Sequence, residues 1–246
     1  SHWVAGINHM AWFLELKWKE KDAYPLIWKK LEKKGEPSLE KFRFSMMKAA
    51  GYFMTETCGH LSEYLPYVRK RKSLLPKYRQ ERFWDTRFYY NHCIELLGPA
   101  YKKIQLQAAG KEKIEFGTRT VEYASNIINA METNIPFRFN GNVRNTSLIT
   151  NLQQNSCVEV PCFADEGGIH PCYVGDLPEQ CAGLNRTNIN VQALAVRAAL
   201  KKDRESAYHA IMLDPLTAAV LDTDEIRKMV GEMFKAESRW LPQFKK

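Results

Sequence analysis

The sequence lacks the long apolar segments that mark membrane and secreted proteins. In its 246 residues no run of about 18 apolar residues occurs, and no basic leader precedes an apolar core at the start. We therefore expect neither a membrane span nor a signal peptide, and we expect a cytoplasmic protein. With 45% hydrophobic and 26% charged residues, the composition is that of a globular chain.

Short signature motifs are also missing. No GxGxxG follows a predicted strand, and no Walker loop, HExxH or GxSxG is present. By itself the chain carries no complete motif for cofactor binding or nucleophilic catalysis. The cysteines form no CxxC pair and have no zinc-finger spacing, so we interpret them as mostly reduced core residues. They are Cys58, Cys93, Cys157, Cys162, Cys172 and Cys181.

An excess of basic residues raises nucleic-acid binding as a rival function. The chain has 36 Lys and Arg against 28 Asp and Glu, a net charge of +8. Much of the excess lies in residues 17–34 and in the run from Arg69 to Lys72. No RNP, zinc-finger or helix-turn-helix pattern accompanies the charge, so we favour a solvated helix face or a subunit contact and expect no nucleic-acid partner.

The chain opens on an apolar stretch, residues 3–16, which resembles a buried strand rich in Val, Ile, Phe and Trp. This strand would place Asn8 and His9 among apolar neighbours. Buried polar groups need partners, because leaving them unpaired costs on the order of 2 kcal/mol or more. From the residues alone, a hydrogen-bonded core histidine is favoured over a ligand site.

Helix-rich, strand-rich and again helix-rich segments follow in order. This order predicts an α+β fold in one domain over residues 1–246. Predicted helices cover residues 21–34, 38–50 with Ser38 as N-cap, about 79–109 with a break at Gly98-Pro99, 120–132, and a final helix capped by Asp222 or Thr223. Predicted strands cover residues 135–143, 147–152, 156–164 and 172–175.

Several long motifs carry a resemblance to a known family. They are VAGINHMAWFLEL, GYFMTETCGHLSEYLPY, RTVEYASNIINAM, NGNVRNTSLITNL, VEVPCFADEGGIHPCYVGDLPEQCAGLNRTNINVQALAV and LDPLTAAVL. In order and spacing the chain resembles the C-terminal half of family 4 glycoside hydrolases, and most of all their α-galactosidase branch, with α-glucuronidases next.

The resemblance implies a fold. It is a lactate/malate dehydrogenase-like C-terminal domain, α+β, helix-rich, with a small, mainly antiparallel sheet. The N-terminal Rossmann domain of the family, which binds NAD, is absent from this chain. That absence would explain both the missing GxGxxG and the start in an apolar strand.

The resemblance also implies a chemistry that differs from the usual two-carboxylate route. The family hydrolyses glycosides by oxidation at C3 with NAD, elimination, addition of water and reduction, and it needs a divalent cation, usually Mn²⁺. By this resemblance His9 is a metal ligand. Tyr64 is the base that removes the C2 proton, preferred over Tyr67, which at i+3 could face the same side; a plain core tyrosine is the alternative.

Substrate contacts follow from the same resemblance. His60, one helical turn before Tyr64, would hold a sugar hydroxyl or orient the phenol. Asn8 would contact substrate or the metal shell, and Asn142 would reach the pocket or, like Asn145, close a turn.

Arg119 matches a position where relatives acting on phosphorylated sugars bind substrate. In an α-galactosidase it would bind a hydroxyl or an internal carboxylate such as Glu122. A salt bridge at a helix start is the alternative.

The expected partners are a small α-galactoside, an N-terminal Rossmann-domain half and further copies of the chain in a homo-oligomer. Without the Rossmann half we expect no activity. Two rival functions remain at this point. One is an α-glucuronidase or 6-phospho-glycosidase of the same family, and the other is a non-catalytic oligomerisation or binding module.

Overall fold

A six-stranded sheet forms the centre of the protein. The structure, a computed structural model, describes residues 1–37, 40–78, 93–114, 117 and 122–244. The strands lie in the order β3-β2-β1-β5-β4, with β6 paired to β5, and each pair of described strands is antiparallel. Their bounds are β1 His2–Ile7, β2 Met10–Trp18, β3 Lys21–Asp22, β4 Phe137–Arg144, β5 Cys157–Asp165 and β6 Gly168–Pro171.

Helices separate the two groups of strands and follow the second group. They are α1 Tyr24–Lys34, α2 Lys41–Ala50, α3 Cys58–Tyr64, α4 Leu75–Tyr78, α5 Gly98–Ala108, α6 Ala124–Thr133, α7 Glu179–Lys201, α8 Arg204–Met212, α9 Pro215–Ala218 and α10 Thr223–Ala236. A π-helical turn, Cys93–Leu97, leads into α5. Within the described ranges no helix has the length and apolar character that crossing a bilayer requires. The predicted α+β class is confirmed.

The apolar opening stretch is a hairpin and not the single strand that its pattern predicts. β1 and β2 pair directly, with Ile7 opposite Met10, so Asn8 and His9 form a two-residue turn. His9 has a φ of 61°, in the left-handed region. Both strands are buried near the turn, so apolar residues stand on both sides of Asn8 and His9. Neither of the two turn residues is Gly or Pro, and the hydrophobic pattern alone therefore resembles one strand.

Helix α7 fixes the hairpin through a buried amide. Asn185 Oδ1 accepts from the indole N–H of Trp12 at 2.9 Å, and its Nδ2 donates to the carbonyl of Met10 at 2.6 Å. One turn later, Asn188 Nδ2 donates to the carbonyl of Tyr64 at 3.3 Å. The same helix therefore holds both the hairpin and the end of α3.

The segment before α3 runs beside the hairpin. Residues 53–55 form backbone hydrogen bonds of 2.9 and 3.0 Å with Phe13 and Ala11 of β2. Arg43 of α2 donates to the carbonyl of Met54 from Nη2 at 2.7 Å and from Nε at 3.2 Å. These contacts bring the start of α3 next to the hairpin turn.

Two predicted strands are wrong. β4 and β5 form where the pattern predicts them, but residues 147–152 and 172–175 are loops that meet in one isolated bridge, Ile149 with Gly175. The buried side chain of Asn145 organises the first loop: it donates to the carbonyls of Ile149 and Leu152 at 3.0 and 3.2 Å and accepts from the N–H of Ile149. Hydrogen bonds between the side-chain amide of Asn145 and the loop backbone thus take the place of strand pairing.

Helix boundaries also differ from the predictions. The first helix begins at Tyr24, not Lys21, because Lys21 and Asp22 pair with the end of β2. The helix predicted from residue 120 begins at Ala124. At Gly98-Pro99, where a kink or division is predicted, the π-helical turn passes directly into α5, and Leu97 keeps a right-handed helical backbone, so the helix changes type there without an interruption. Ser38, residues 79–92 and residues 118–121 lie outside the described residues.

Of the two predicted N-caps, Asp222 and Thr223, the structure has Asp222 at the start of α10, where it forms a capping box with Glu225. Among the cysteine side chains that the structure describes, all five are free; Cys58, Cys162 and Cys181 are buried, whereas Cys157 is exposed and Cys172 is partly buried, against their interpretation as core residues. The interpretation of the three buried cysteines as core residues is confirmed.

Candidate functional site

The hairpin turn and α3 bring together four side chains from distant parts of the sequence. His9 lies in the turn, Glu56 just before α3, and His60 and Tyr64 one turn apart on α3. The rings of His9 and His60 stack with 5.0 Å between centroids and an interplanar angle of 26°. The ring of Tyr64 lies 5.9 Å from that of His9. We call these four residues the histidine cluster.

One imidazole nitrogen of His9 is engaged within the protein. Nδ1 hydrogen-bonds to Oε2 of Glu56, whose other oxygen accepts the backbone N–H of Thr57 at 2.7 Å. Burial by itself raises the pKa of Glu56, but the hydrogen bonds from His9 and Thr57 and the nearby histidines outweigh it and hold that pKa below its ordinary value. An ionised Glu56 accepts, so Nδ1 donates. Nε2 then remains for a ligand.

Tyr64 ends α3 with a half-buried ring. Burial raises the pKa of its phenol, and the carboxylates of Glu63 and Glu56 raise it further. A phenol in this state is a poor base at neutral pH. The chain's own charges thus oppose ionisation of Tyr64, and a cation beside the ring would favour it.

His60 shares the face of Tyr64, as its i−4 spacing predicts, and both rings meet His9. Its side chain is about half exposed, and Nδ1 lies 3.4 Å from a carboxylate oxygen of Glu63. Tyr67 does not share this face. The helix ends at Tyr64, and Leu65 has an extended backbone, so Tyr67 instead lines a cavity with Phe42 and Met46. The prediction that Tyr67 could face the same side as Tyr64 is wrong, because α3 ends at Tyr64 and does not extend to residue 67.

The remaining predicted residues are spread more widely. Asn8 is exposed in the turn beside His9. Asn142 is exposed on β4, and Asn145 closes a loop by the contacts given above. Of these, only Asn8 adjoins the histidine cluster directly. Arg119 lies outside the described residues.

Glu159 is a residue near the site that the sequence reasoning missed. On β5 it pairs with Gly6 of β1 on one side and with Asn142 of β4 on the other. Burial raises the pKa of its carboxyl; His9 opposes this rise, and the charge of Glu56 adds to it. No hydrogen bond to its carboxyl comes from the residues that the structure describes. A single charged residue between the buried Val158 and Val160 was the signal available in the sequence.

The arrangement offers proton-transfer groups and, at Nε2 of His9, a nitrogen that can bind a cation. Across the described residues, no group of three or more His, Cys, Asp or Glu side chains could enclose a metal ion. A cation at Nε2 of His9 would therefore need further ligands from a substrate or from outside these residues. The geometry alone fits a site that is completed by other molecules.

Comparison with known proteins gives the site a context. Residues 4–217 match the family described as "Family 4 glycosyl hydrolase C-terminal domain". An α-galactosidase of Bacillus subtilis is 42% identical over 98% of the chain and 55% of its own length. An α-galactosidase of Rhizobium meliloti is 33% identical over 98% of the chain and 50% of its own length.

A solved structure shares the fold. It is a 6-phospho-α-glucosidase from gut microorganisms in complex with NAD and Mn²⁺, with a TM-score of 0.71 and 21% identity over 97% of this chain and 54% of that one. The chain thus spans about half the length of the relatives that it matches.

Proposed function

Because the chain belongs to the family of family 4 glycosyl hydrolase C-terminal domains, we propose that it is the catalytic and substrate-binding half of an enzyme that hydrolyses small α-galactosides. The 42% identity to an α-galactosidase along nearly the whole chain supports this substrate class. The observation that carries the proposal is the histidine cluster, in which a candidate metal ligand and a candidate base lie with 5.9 Å between their rings.

The residues of this chain take distinct roles. Tyr64 is the catalytic base, and its phenolate oxygen accepts the C2 proton of the sugar. His9 holds a divalent cation through Nε2, while Glu56 occupies Nδ1. His60, half exposed beside both rings, donates to a sugar hydroxyl.

Three further residues complete the proposed sugar contacts. Asn8 adjoins His9 in the turn, Asn142 lies on β4 opposite Glu159, and Arg119 belongs to the segment before α6. Their proposed roles are based on the family resemblance.

The residues fit the cofactors of the family in part. When bound, NAD would supply hydride chemistry, and a divalent cation held by His9 would supply Lewis-acid stabilisation of negative charge on the sugar. Among the residues that the structure describes, His9 is the proposed cation ligand and no group of three or more His, Cys, Asp or Glu could enclose a metal ion; the sequence has no dinucleotide motif. The proposal therefore includes an N-terminal NAD-binding half, which supplies the remaining metal ligand and the acid for the leaving group, and without which this chain is inactive.

We extend the proposal to the domain organisation, assembly, location and partners of the enzyme. The 246 residues act as one catalytic and oligomerisation domain, and the enzyme is a homo-oligomer in the cytoplasm. It binds neither nucleic acid nor membrane. The basic residues of α1 are exposed on the helix surface, which favours a solvated face.

Turnover with defined substrates tests the proposed function. The chain is combined with the N-terminal half of the B. subtilis relative, and nitrophenyl α-galactoside, α-glucuronide and 6-phospho-α-glucoside are compared in the presence of NAD and Mn²⁺. We expect cleavage of the galactoside, and none when NAD or Mn²⁺ is omitted. Preference for the glucuronide or the phosphoglucoside would overturn the substrate class. Failure to cleave any of the three in a complex that forms stably would overturn catalysis.

Substitution of the metal ligand adds a second test. His9→Ala should abolish turnover and the response to Mn²⁺. Unchanged activity in His9→Ala would overturn the metal assignment. Salt-sensitive binding of nucleic acid together with indifference to Tyr64→Phe would instead favour a non-catalytic binding module.

A further inference from the structure

His9 is constrained on three sides before any ligand arrives. Its backbone has a φ of 61° in a two-residue turn whose flanking residues pair directly. Its ring stacks on His60 on one side. Its Nδ1 bonds to the carboxylate of Glu56. Neither the sequence motifs nor the similar proteins assign a role to Glu56.

Glu56 is itself held in place. Its second oxygen accepts the N–H of Thr57 at 2.7 Å. The preceding residues are fixed to β2 by backbone hydrogen bonds, and Arg43 anchors the carbonyl of Met54. The carboxylate is therefore rigidly placed and does not depend on a flexible loop to find the imidazole.

A carboxylate on one imidazole nitrogen determines what the other nitrogen can do. When Nδ1 carries the proton and donates it, Nε2 has a free lone pair and can bind a cation. Histidine ligands in metal sites usually have such an outer partner, which fixes the tautomer and the direction of the ring. In water, unrestrained histidine favours the opposite tautomer, with the proton on Nε2.

We propose that Glu56 is a positioning residue that holds His9 in the Nδ1–H tautomer and directs Nε2 toward the cation site. This inference rests on the proposed function for the identity of the cation, but the tautomer is a property of this chain alone. In this role Glu56 acts through its hydrogen bond to His9.

Nuclear magnetic resonance tests the tautomer without activity. Long-range ¹H–¹⁵N correlation spectra of the 246-residue chain at pH 8 distinguish the two neutral tautomers of His9. We expect the Nδ1–H pattern in the wild type and in Glu56→Gln, whose amide oxygen still accepts a hydrogen bond. In Glu56→Ala we expect the Nε2–H pattern or a mixture.

A matched control separates this contact from the general charge of the site. Glu63→Gln removes the carboxylate beside His60 but leaves the bond between Glu56 and His9. It should leave the His9 pattern unchanged. An Nε2–H pattern in the folded wild type, or the same Nδ1–H pattern in a folded Glu56→Ala variant, would overturn the proposal.

Binding of Mn²⁺ alone gives the second readout. The ion broadens resonances of nearby rings, and we expect the concentration that broadens His9 to rise about 10- to 100-fold in Glu56→Ala. Equal broadening in wild type and Glu56→Ala would contradict the positioning role. Absence of broadening in the wild type would count against the metal role of His9 in the proposed function, whereas the tautomer pattern decides the role of Glu56 separately.

Discussion

The imidazole of His60 stacks on that of His9, and this contact joins helix α3 to the turn of the first hairpin. The centroids lie 5.0 Å apart and the rings are 26° from parallel. Because Tyr64 follows one helical turn after His60, the same contact brings the phenol ring within 5.9 Å of His9. The helix therefore places a histidine and a tyrosine side by side against a single partner.

Removing the phenol oxygen of Tyr64 should abolish proton abstraction while leaving the fold intact. Tyr64→Phe keeps the ring contacts, so the variant should fold and bind substrate. General-base catalysis contributes about 10²- to 10⁴-fold, and kcat should fall by that order in the complex with the N-terminal half. Tyr67→Phe is the control, because Tyr67 faces a different cavity. Equal losses in the two variants would exclude a specific role for Tyr64.

Asn185 should be important for stability because it pairs two buried groups at once. Asn185→Leu leaves the indole N–H of Trp12 and the carbonyl of Met10 without their partner. Each unsatisfied buried group costs about 1–3 kcal/mol. Urea unfolding should therefore show a loss of a few kcal/mol. Asn190→Leu on the exposed side of the same helix should stay within about 0.5 kcal/mol of the wild type.

The stability contribution of Glu159 should depend on pH. Its folded pKa is raised by burial above the ordinary value of 4.5, so the ionised carboxylate disfavours the folded state. Stability is lost as pH rises from the ordinary pKa through the raised one. Glu159→Gln removes this loss, so its thermal midpoint should exceed that of the wild type at pH 7.5 and approach it near pH 4.

The exposed Glu166 on the β5–β6 turn supplies the control for that comparison. Glu166→Gln should follow the wild type at both pH values. If Glu159→Gln lowered the midpoint at pH 7.5, the carboxylate would have a stabilising partner, and the burial argument would be wrong.

The cap of α10 should contribute to stability and not to the site. The side chain of Asp222 accepts from the N–H groups of Asp224 and Glu225, both at 2.9 Å, and the carboxylate of Glu225 accepts from the backbone N–H of Asp222 at 2.9 Å. Asp222→Ala should cost about 1 kcal/mol in chemical unfolding and leave turnover unchanged. Asp224→Ala in the first turn should cost only a few tenths of a kcal/mol through the helix dipole. A change in turnover would show coupling between α10 and the site.

The fold could be predicted in outline but not in its boundaries. Periodicity and capping predicted α10 with either Asp222 or Thr223 as its cap, because these signals are local, and the structure has Asp222. The hairpin turn at Asn8 and His9 was missed, since both strands are buried and the turn contains neither Gly nor Pro. The loop at residues 147–152 resembled a strand, because its apolar residues pack into the core while Asn145 supplies the hydrogen bonds that a neighbouring strand would supply.

The candidate site was predicted in part. The spacing of His60 and Tyr64 within one helix is local, so their shared face could be read from the sequence. Glu56 and Glu159 could not be found in that way. Their significance depends on where the chain returns in space, and a lone carboxylate in a sequence is most often a surface residue.

The sequence by itself determined the α+β class, the family resemblance and the candidates His9 and Tyr64, because composition, periodicity and long motifs are properties of the chain. Only the tertiary structure decided that His9 lies in a turn, that Glu56 binds its Nδ1, and that Tyr67 lies apart from the site. The physical reason is that a hydrogen bond or a ring contact depends on distances of a few ångströms. These distances are set by strand register and by helix α7, which packs against both the hairpin and α3.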